Sequence, residues 1–507
     1  MLVGLVYAGG VLVNLVLPLN HDAAVYATAS ALVADGRLPY RDFFSPTPPV
    51  VTYLHAAAIG VLGATPHAAA RHLSALLGLA VGVLLFVIPA RIAGPAAGTL
   101  SVALIACSWY GDGPASIAFG ASYILAPFAF FLLCAVYAEL FITPRALGIV
   151  TAAAALSLAI GTRLVVPVLG AYLLYVWYVE RRMRLVLLAL GTMVVSCAVI
   201  GGYFVARYPE ETWVSIVRWL RDALPGVGYT ARWWTLSVAE ALGSLPLLFI
   251  PLAALALAAL FDPPRTFWPR PGDLTVGHRL DLLAAAVIVP SVVMFWTVPQ
   301  IYVHHQLFYL VLGAMVVAVH VCRRWPWTSD ARIRRTLVIA GILALLWPPL
   351  MHRDGAQKLL ANVRAGLRGD RFPTMVATVE RLTPPGGMVF TFNPYVALLA
   401  HRSFPSGLEF SFMGFTPYWD TARALRFHRF NEDVLVSWVT ARTVDVILLT
   451  DKDARPFQRV AGTAAPAYAR AWTAFERAVA EHYRLVERYP VDDYWGEARF
   501  YVRAPAR

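Results

Sequence analysis

The chain has 507 residues, of which 59% are hydrophobic and only 14% are charged. An ordinary soluble protein carries about 25% charged residues, so this composition excludes a soluble globular protein. Several apolar runs reach the roughly 18–20 residues that cross a bilayer, which predicts a polytopic α-helical membrane protein. The net charge of +12 is explained by basic cytoplasmic loops and does not require a nucleic-acid partner.

Apolar runs predict about eleven membrane spans, and clusters of arginine give their direction. Cytoplasmic loops are enriched in Lys and Arg, and the spans alternate consistently when the basic clusters at 91, 145, 180–184, 262–280 and 322–335 all lie inside. The N-terminus is then inside and the C-terminus outside, and 147–179 is a tight hairpin that breaks at 161–163. The predicted spans are 2–19, 70–90, 95–111, 119–141, 147–161, 163–179, 185–205, 236–261, 281–298, 305–321 and 336–350.

The first apolar run lacks both a basic segment and a small-residue cleavage site before Asn20. It is therefore interpreted as a retained span rather than a cleaved signal peptide. The next two apolar segments, 22–35 and 49–62, have helical spacing but are too short to be assigned as spans. We predict that both are helices lying flat on the outer interface.

The composition changes after about residue 350, where polar residues become frequent. Short β-branched and aromatic runs predict strands at 388–392, 444–450, 483–489 and 498–502, and 466–481 has the spacing of a helix. We therefore predict two domains, a transmembrane domain over 1–350 and a small extracytoplasmic α/β domain over 351–507.

Two acids stand in the first outer segment, directly behind the first predicted span. A carboxylate at the edge of the hydrocarbon is paired, hydrogen-bonded or functional. Asp22 precedes a helix and is equally well suited to cap it. Asp42 follows Arg41 in a Pro-rich loop, where an acid can simply fix a turn.

The pattern around these acids resembles the glycosyltransferase family 39 group of the GT-C superfamily, whose relatives include protein O-mannosyltransferases and lipid A aminoarabinose transferases. The likeness covers about 55 residues by motif, and the hydropathy profile extends it to most of the chain. In one place the sequence departs from the family: many members carry Asp-Glu where this chain has Asp22-Ala23. The matching residues are Asp22, Ala27, Ala31, Leu32, Gly36, Pro39, Tyr40, Asp42, Pro48, Pro49, Gly63, Arg71, Ser74 and Ala75.

The resemblance implies a GT-C fold and an inverting transfer of a sugar from a polyprenyl-phosphate carrier to an acceptor hydroxyl outside the membrane. The acceptor is a glycan, a lipid or a protein. Asp22 would be the base, because sugar transfer needs a group that takes the proton of the acceptor hydroxyl. The missing second acid puts a metal-binding variant in doubt, so we predict neither a metal ion nor a cofactor.

The leaving phosphate needs positive charge beside it, and it would sit at the outer edge of the bilayer where its polyprenyl tail begins. Arg163 interrupts an apolar hairpin, and an arginine within the membrane is a functional candidate by default; its alternative is a structural, snorkelling role. His304 and His305 open a predicted span. Arg71, and Tyr40 from the motif, complete the predicted substrate-binding residues.

Asp112 lies in the second outer segment and is a further catalytic candidate, although Gly111-Asp112-Gly113-Pro114 is equally good turn chemistry. Two rival functions remain open at this point. A transporter or lipid flippase would show two related halves with a polar site at the bilayer midplane, and no repeat is visible here. A non-catalytic scaffolding relative is the second rival, because of the missing acid after Asp22.

Overall fold

The computed structural model describes residues 2–13, 15–17, 21–63, 65–106, 124–162, 165–218, 274–296, 307–324, 363–364, 367, 372–454, 457, 465–492 and 495–505. In chain order the first helices are α1 (Leu2–Val13), α2 (His21–Ala34), α3 (Pro49–Leu62), α4 (Pro66–Ala93), α5 (Pro95–Ala106), α6 (Leu125–Phe141), α7 (Arg145–Thr162), α8 (Pro167–Glu180), α9 (Met183–Cys197), α10 (Tyr203–Arg207) and α11 (Pro209–Trp213). Short π-helical segments, Ala198–Gly202 and Val214–Arg218, follow α9 and α11.

The later elements are α12 (Val276–Trp296), α13 (Leu307–Arg324), α14 (Phe372–Leu382), β1 (Val389–Thr391), α15 (Pro394–Leu399), α16 (Thr421–Arg426), α17 (Glu432–Thr440), β2 (Val446–Thr450), α18 (Ala465–His482), β3 (Tyr483–Asp492) and β4 (Gly496–Arg503). A 3₁₀ turn spans Ser411–Gly414.

The chain divides into two compact units, neither of which is continuous in sequence. Unit 1 comprises Met1–Leu17, Arg71–Gly202 and Thr230–Val363, and unit 2 comprises Pro18–Ala70, Tyr203–Tyr229 and Arg364–Arg507. The long segments predicted to lie outside the membrane are those that gather in unit 2. The boundary predicted at residue 350 falls outside the described residues and stays a prediction.

The described part of unit 1 is helical because its sequence consists of long runs of Leu, Val and Ala. Within the described residues, three helices are long and apolar enough to cross a membrane, Pro66–Ala93, Arg145–Thr162 and Met183–Arg207, and the other apolar helices are shorter. The predicted break at 161–163 is confirmed, since α7 ends at Thr162 and α8 begins at Pro167. The predicted spans 236–261 and 336–350 lie outside the described residues, so the number of crossings stays a prediction.

The first helix is shorter than the apolar run, 2–19, that was predicted to form the first span. The α1 helix ends at Val13, and Leu15–Leu17 continue as a turn whose N–H groups bond to carbonyls of its last residues. The Tyr7 ring lies where a Cβ on Gly82 would be, and its hydroxyl donates to the Gly78 carbonyl at 2.8 Å. Gly82 of α4 therefore permits the close approach of α1.

One end of unit 1 holds a buried network of charges. Glu139, which is fully buried near the end of α6, forms ion pairs with Arg145 and Arg279. Both arginines also pair with Glu180 at the end of α8, and Tyr172 donates its hydroxyl proton to Glu139 at 2.8 Å. Because buried charges are costly unless they are paired, these contacts hold the ends of α6, α7, α8 and α12 together.

The basic clusters that set the predicted topology meet at this same end. Arg91 donates to the Tyr137 hydroxyl at 2.7 Å, and Tyr137 lies two residues before Glu139 in α6. His320 of α13 lies 3.0 Å from Asp281 of α12. Asp281 follows Arg279 by two residues. The clusters on α4, α7, α8, α12 and α13 are thus on one side, as consistent alternation of the spans requires.

Cysteine labelling tests which compartment each unit faces. We expect an impermeant maleimide added to intact cells to label Arg477→Cys, an exposed position on α18, and to leave Arg184→Cys, an exposed position at the start of α9, unlabelled until the cells are opened. The physical reason is the retention of Arg-rich loops in the cytoplasm. Both variants are made after the four native cysteines are replaced by alanine, and the reverse labelling pattern would contradict the predicted orientation.

The C-terminal part of unit 2 is an α/β arrangement around a sheet in the order β1-β2-β4-β3. β1 and β2 are parallel, and the remaining pairs are antiparallel. β1 and β2 are buried along their whole length, as their continuous apolar sequences predict. The strands and the helix predicted after residue 388 are confirmed, and a cluster of aromatic rings fills the core: Phe390, Phe392, Phe415, Phe430, Phe457, Trp472 and Phe475.

Candidate functional site

The α2 helix carries the leading catalytic candidate and is packed within unit 2. Its residues from Ala23 to Leu32 are buried on every face, so the prediction of a helix lying flat on the membrane surface is wrong for this segment. The many alanines explain the difference, because small side chains let α3 and α15 pack closely against the helix. Tyr26 extends this packing with an edge-on contact to Phe410, 5.9 Å between ring centroids.

Asp22 lies directly before this buried stretch and is exposed. The helix begins at His21, so Asp22 lies in its first turn rather than at the capping position. Its side chain is 52% exposed, which gives the carboxylate access to a ligand. The positive end of the helix dipole, at the first helical turn, also favours a negative charge there, so the position suits a carboxylate.

His21 lies directly before Asp22 and is buried. Its Nε2 is 2.8 Å from the Ser411 hydroxyl, and its Nδ1 is 3.6 Å from Oδ1 of Asp22. The imidazole packs against Phe412, with ring centroids 5.0 Å apart, and against Trp495 at 6.3 Å. The C-terminal part of unit 2 therefore surrounds the residue that precedes the candidate base.

Asp42 braces the loop between α2 and α3. Its carboxylate accepts two hydrogen bonds from Arg41 at 2.6 Å and one from the Leu38 N–H at 2.7 Å. The Arg41 guanidinium is the main reason that the pKa of Asp42 lies below its usual value. A carboxylate whose proton affinity is lowered in this way is a weaker base, so the geometry favours the turn-fixing role.

Tyr40 is also part of this loop. It adopts a left-handed backbone with φ of 68° and is only 1% exposed. Its hydroxyl donates to the Thr47 carbonyl at 2.7 Å, and its ring meets Phe204 edge-on. Burial raises the pKa of Tyr40 well above its ordinary value. These contacts shape the loop, and its predicted part in substrate binding stays a prediction.

Arg71 lies in unit 1, near the start of α4. Its guanidinium donates to the Leu15 carbonyl, just beyond the end of α1, at 3.2 Å. This contact ties α4 to the turn that follows the first helix. The remaining predicted site residues, Asp112, Arg163, His304 and His305, lie outside the described residues.

Sequence reasoning missed a buried cation in unit 2. Arg429 is fully buried, and its guanidinium lies 4.9 Å from the centre of the Phe44 ring and 4.8 Å from that of Trp419. One of its N–H groups points to the Phe415 carbonyl at 3.4 Å. The alternation of basic and aromatic residues in 426–430 was the available signal, since aromatic faces attract cations.

Two buried carboxyl groups also belong to unit 2. Burial raises the pKa of Glu409 to about 7, and Glu409 accepts a hydrogen bond from the Gly407 N–H at 2.8 Å. Burial likewise raises the pKa of Asp453 to about 6, and Asp453 accepts from the Thr450 N–H and hydroxyl. Among the described residues, no group of three or more His, Cys, Asp or Glu side chains is placed to hold a metal ion.

Solved structures of membrane glycosyltransferases share this architecture. ArnT from Cupriavidus metallidurans in the apo state matches with a TM-score of 0.61 and 14% identity over 99% of this chain and 97% of that one. ArnT from the same organism bound to undecaprenyl phosphate matches with a TM-score of 0.59 and 15% identity, over 99% of this chain and 96% of that one. The Archaeoglobus fulgidus oligosaccharyltransferase tethered to an acceptor peptide matches with a TM-score of 0.51 and 13% identity, over 99% of this chain and 74% of that one.

At these identities the likeness establishes the fold. The chain has the GT-C fold of membrane glycosyltransferases, as its sequence predicted. Neither the protein-family models nor the sequences of curated proteins give a match.

Proposed function

We propose that this chain is an inverting membrane glycosyltransferase that moves a sugar from a polyprenyl-phosphate carrier to an acceptor hydroxyl on the extracytoplasmic face. The observation that carries the proposal is the exposed carboxylate of Asp22 in the first turn of a helix whose next ten residues, Ala23 to Leu32, are buried. The shared fold supports it, because the ArnT structure that matches over 99% of this chain was solved with undecaprenyl phosphate.

In the proposed reaction, the acceptor oxygen attacks the anomeric carbon of the sugar while the bond from that carbon to the phosphate oxygen breaks. Asp22 takes the proton of the acceptor hydroxyl, and the bonding electrons leave with the polyprenyl phosphate. A single displacement of this kind inverts the anomeric carbon and needs only one carboxylate as base. Such a mechanism is compatible with the absence of a second acid at position 23.

Charge develops on the departing phosphate, so cations beside it would lower the barrier. Arg163 and one of the two adjacent histidines, His304 or His305, are proposed for this role, as residues at the ends of apolar segments near the predicted outer edge of the membrane. Arg71 is proposed instead to bind the headgroup or to stabilise the loop. Asp42 is proposed to order the outer loop, and Asp112 to orient the donor or the acceptor. The proposed partners are a lipid-linked donor, an acceptor of the glycan, lipid or protein class, and the surrounding membrane lipid.

The direct test uses the purified protein in lipid vesicles with a panel of radiolabelled polyprenyl-phospho-sugars and with glycan, lipid and protein fractions as acceptors. We expect one donor to lose its label with time in the presence of the parent protein, and the Asp22→Asn variant to release that label roughly 10²–10⁴-fold more slowly. Label loss at the same background rate with both proteins, for every donor in the panel, would contradict the proposal.

The role of Arg163 is tested through the affinity for the donor. Arg163→Ala is expected to raise the donor KM more than it changes the choice of acceptor, because a guanidinium–phosphate contact is charge-assisted. Arg163→Lys is expected to recover only part of the loss, since lysine lacks the two-pronged geometry of arginine. An unchanged donor KM in the alanine variant would assign Arg163 a structural role.

A further inference from the structure

Three arginines lie at the short link between α8 and α9. Arg181 and Arg182 form the whole of the link, and Arg184 follows in the first turn of α9. All three residues, which we call the arginine cluster, are exposed. The link directly precedes Met183–Arg207, one of the helices that are long and apolar enough to cross a membrane. The arginine cluster is therefore at the level where lipid headgroups meet a spanning helix.

The acid next to the arginine cluster is engaged elsewhere. The Glu180 carboxylate pairs with Arg145 at 2.5 Å and with Arg279 at 3.3 Å. Within the part of the chain that the structure describes, no arginine of the cluster forms an ion pair with an acid. The cluster thus presents positive charge that these acids do not neutralise, and an anion from outside the chain is attracted to it.

Arg181 holds a defined position within the arginine cluster. Its backbone is left-handed, with φ of 52°, and its N–H donates to the Trp177 carbonyl at 3.0 Å. Its guanidinium carbon lies 5.1 Å from the centre of the Trp177 ring and 5.2 Å from that of Tyr178. Aromatic faces attract a guanidinium, and its N–H donors form a rigid fork that matches phosphate oxygens. The geometry therefore suits a phosphate group.

An uncovered apolar surface continues from the arginine cluster along α9. Only 17% of the apolar stretch in Met183–Arg207 is buried, against 61% for α7. Hydrocarbon chains of lipid are as apolar as leucine and can cover such a surface. A positive cluster beside it is complementary to a molecule with an anionic head and acyl chains. The exposed side chains of the surface include Leu187, Leu190, Val194, Val195 and Val199.

We infer that the arginine cluster and the exposed side of α9 bind an anionic phospholipid, with its phosphate on the guanidinium groups and its acyl chains along the leucines and valines. A zwitterionic lipid carries the same phosphate together with a compensating cation, so it binds more weakly. Each basic residue near a charged lipid surface contributes about fivefold in affinity. Trp177, which is 46% exposed and contacts Arg181, lies beside the bound headgroup.

Quenching of Trp177 fluorescence tests which lipid lies there. The full-length protein is placed in phosphatidylcholine vesicles that hold an equal minor fraction of either phosphatidylglycerol or phosphatidylcholine brominated near the headgroup end of its chains. The Trp177→Phe protein supplies the background of the other tryptophans. We expect phosphatidylglycerol to bind beside Trp177 roughly tenfold or more tightly than phosphatidylcholine. The preference should approach parity in 1 M salt, where charges are screened beyond about 3 Å.

Replacing the charges of the arginine cluster should abolish this preference. The test variant carries Arg181→Gln, Arg182→Gln and Arg184→Gln together, and we expect both brominated lipids to quench it equally. Lysine at the same three positions keeps the charge but loses the fork, so that variant should retain part of the preference. The lysine variant also keeps the test decisive where the glutamine variant fails to insert into the membrane.

The matched control removes the same net charge from unit 2 and should keep the full preference. It carries Arg477→Gln, Arg484→Gln and Arg488→Gln, at positions that are also exposed. Equal quenching of the parent protein by the two lipids at low salt would overturn the inference, and so would an unchanged preference in the glutamine variant of the arginine cluster. Quenching by neither lipid would overturn it as well, because another protein surface, such as a second copy of this chain, would then cover α9.

Discussion

Replacing Asp22 with asparagine is expected to lower sugar transfer by roughly 10²–10⁴-fold, the range that general acid–base catalysis commonly supplies. Asparagine keeps the size of the side chain but cannot accept the acceptor proton. The change costs little stability, since an acid in a first helical turn contributes about 0.3–1 kcal/mol through the helix dipole. Initial rates of label transfer and a thermal melt on the same preparation measure both quantities.

Two other acids of the same segment serve as controls. Asp35→Asn, at an exposed position just after α2, should transfer sugar at the parental rate. Asp42→Asn should show a smaller loss than Asp22→Asn, because Asp42 is engaged with Arg41 and the Leu38 N–H. A parental rate for Asp22→Asn in an active preparation would mean that Asp22 only stabilises the start of the helix and takes no part in catalysis. The base would then have to be sought at Asp42 or Asp112.

The second large effect concerns the stability of unit 1. Glu139→Ala should destabilise the protein by about 3–5 kcal/mol, as is typical when one partner of a buried ion pair is removed. The substitution leaves Arg145 and Arg279 without the carboxylate between them and takes the hydrogen bond from Tyr172. Thermal unfolding in detergent or nanodiscs should show a clear fall in Tm.

Glu139→Gln and Glu476→Ala are the matched variants. Glutamine retains an acceptor for the Tyr172 hydroxyl but not the charge, so its Tm should lie between those of the parent and Glu139→Ala. Glu476 is an exposed acid on α18, and its removal should change Tm little. Equal melting temperatures for Glu139→Ala and Glu476→Ala would show that the network does not stabilise the fold.

The fold was largely predictable because its signals are local. Long Leu-, Val- and Ala-rich runs indicated the helices of unit 1, and short apolar runs indicated β1 and β2. The Arg clusters indicated that several helix ends lie on one side, and the contacts of Arg145 and Arg279 agree with this. The position of α2 was predicted wrongly, because an alanine-rich helix has no strong apolar face that shows what it packs against.

The candidate site was predictable only in part. Asp22 stood out because an acid at the edge of an apolar run is unusual. The ion pair of Asp42 is with the residue next to it, Arg41. The sequence could therefore indicate that Asp42 fixes the turn, as the alternative to a catalytic role. By contrast, the stacking of Arg429 on Phe44 and Trp419 joins three separate stretches of chain, and no spacing rule relates them.

By itself, the sequence determined that this protein is a largely apolar helical chain with a C-terminal α/β part, and it placed an acid directly behind the first apolar run. These properties follow from hydrophobic periodicity and charge, which act over a few turns or strands. Only the tertiary structure decided that α2 is buried, and that Ser411 and Trp495 close around His21 beside that acid. Contacts across 390 residues depend on how whole elements pack, and side-chain packing leaves no periodic trace in the sequence.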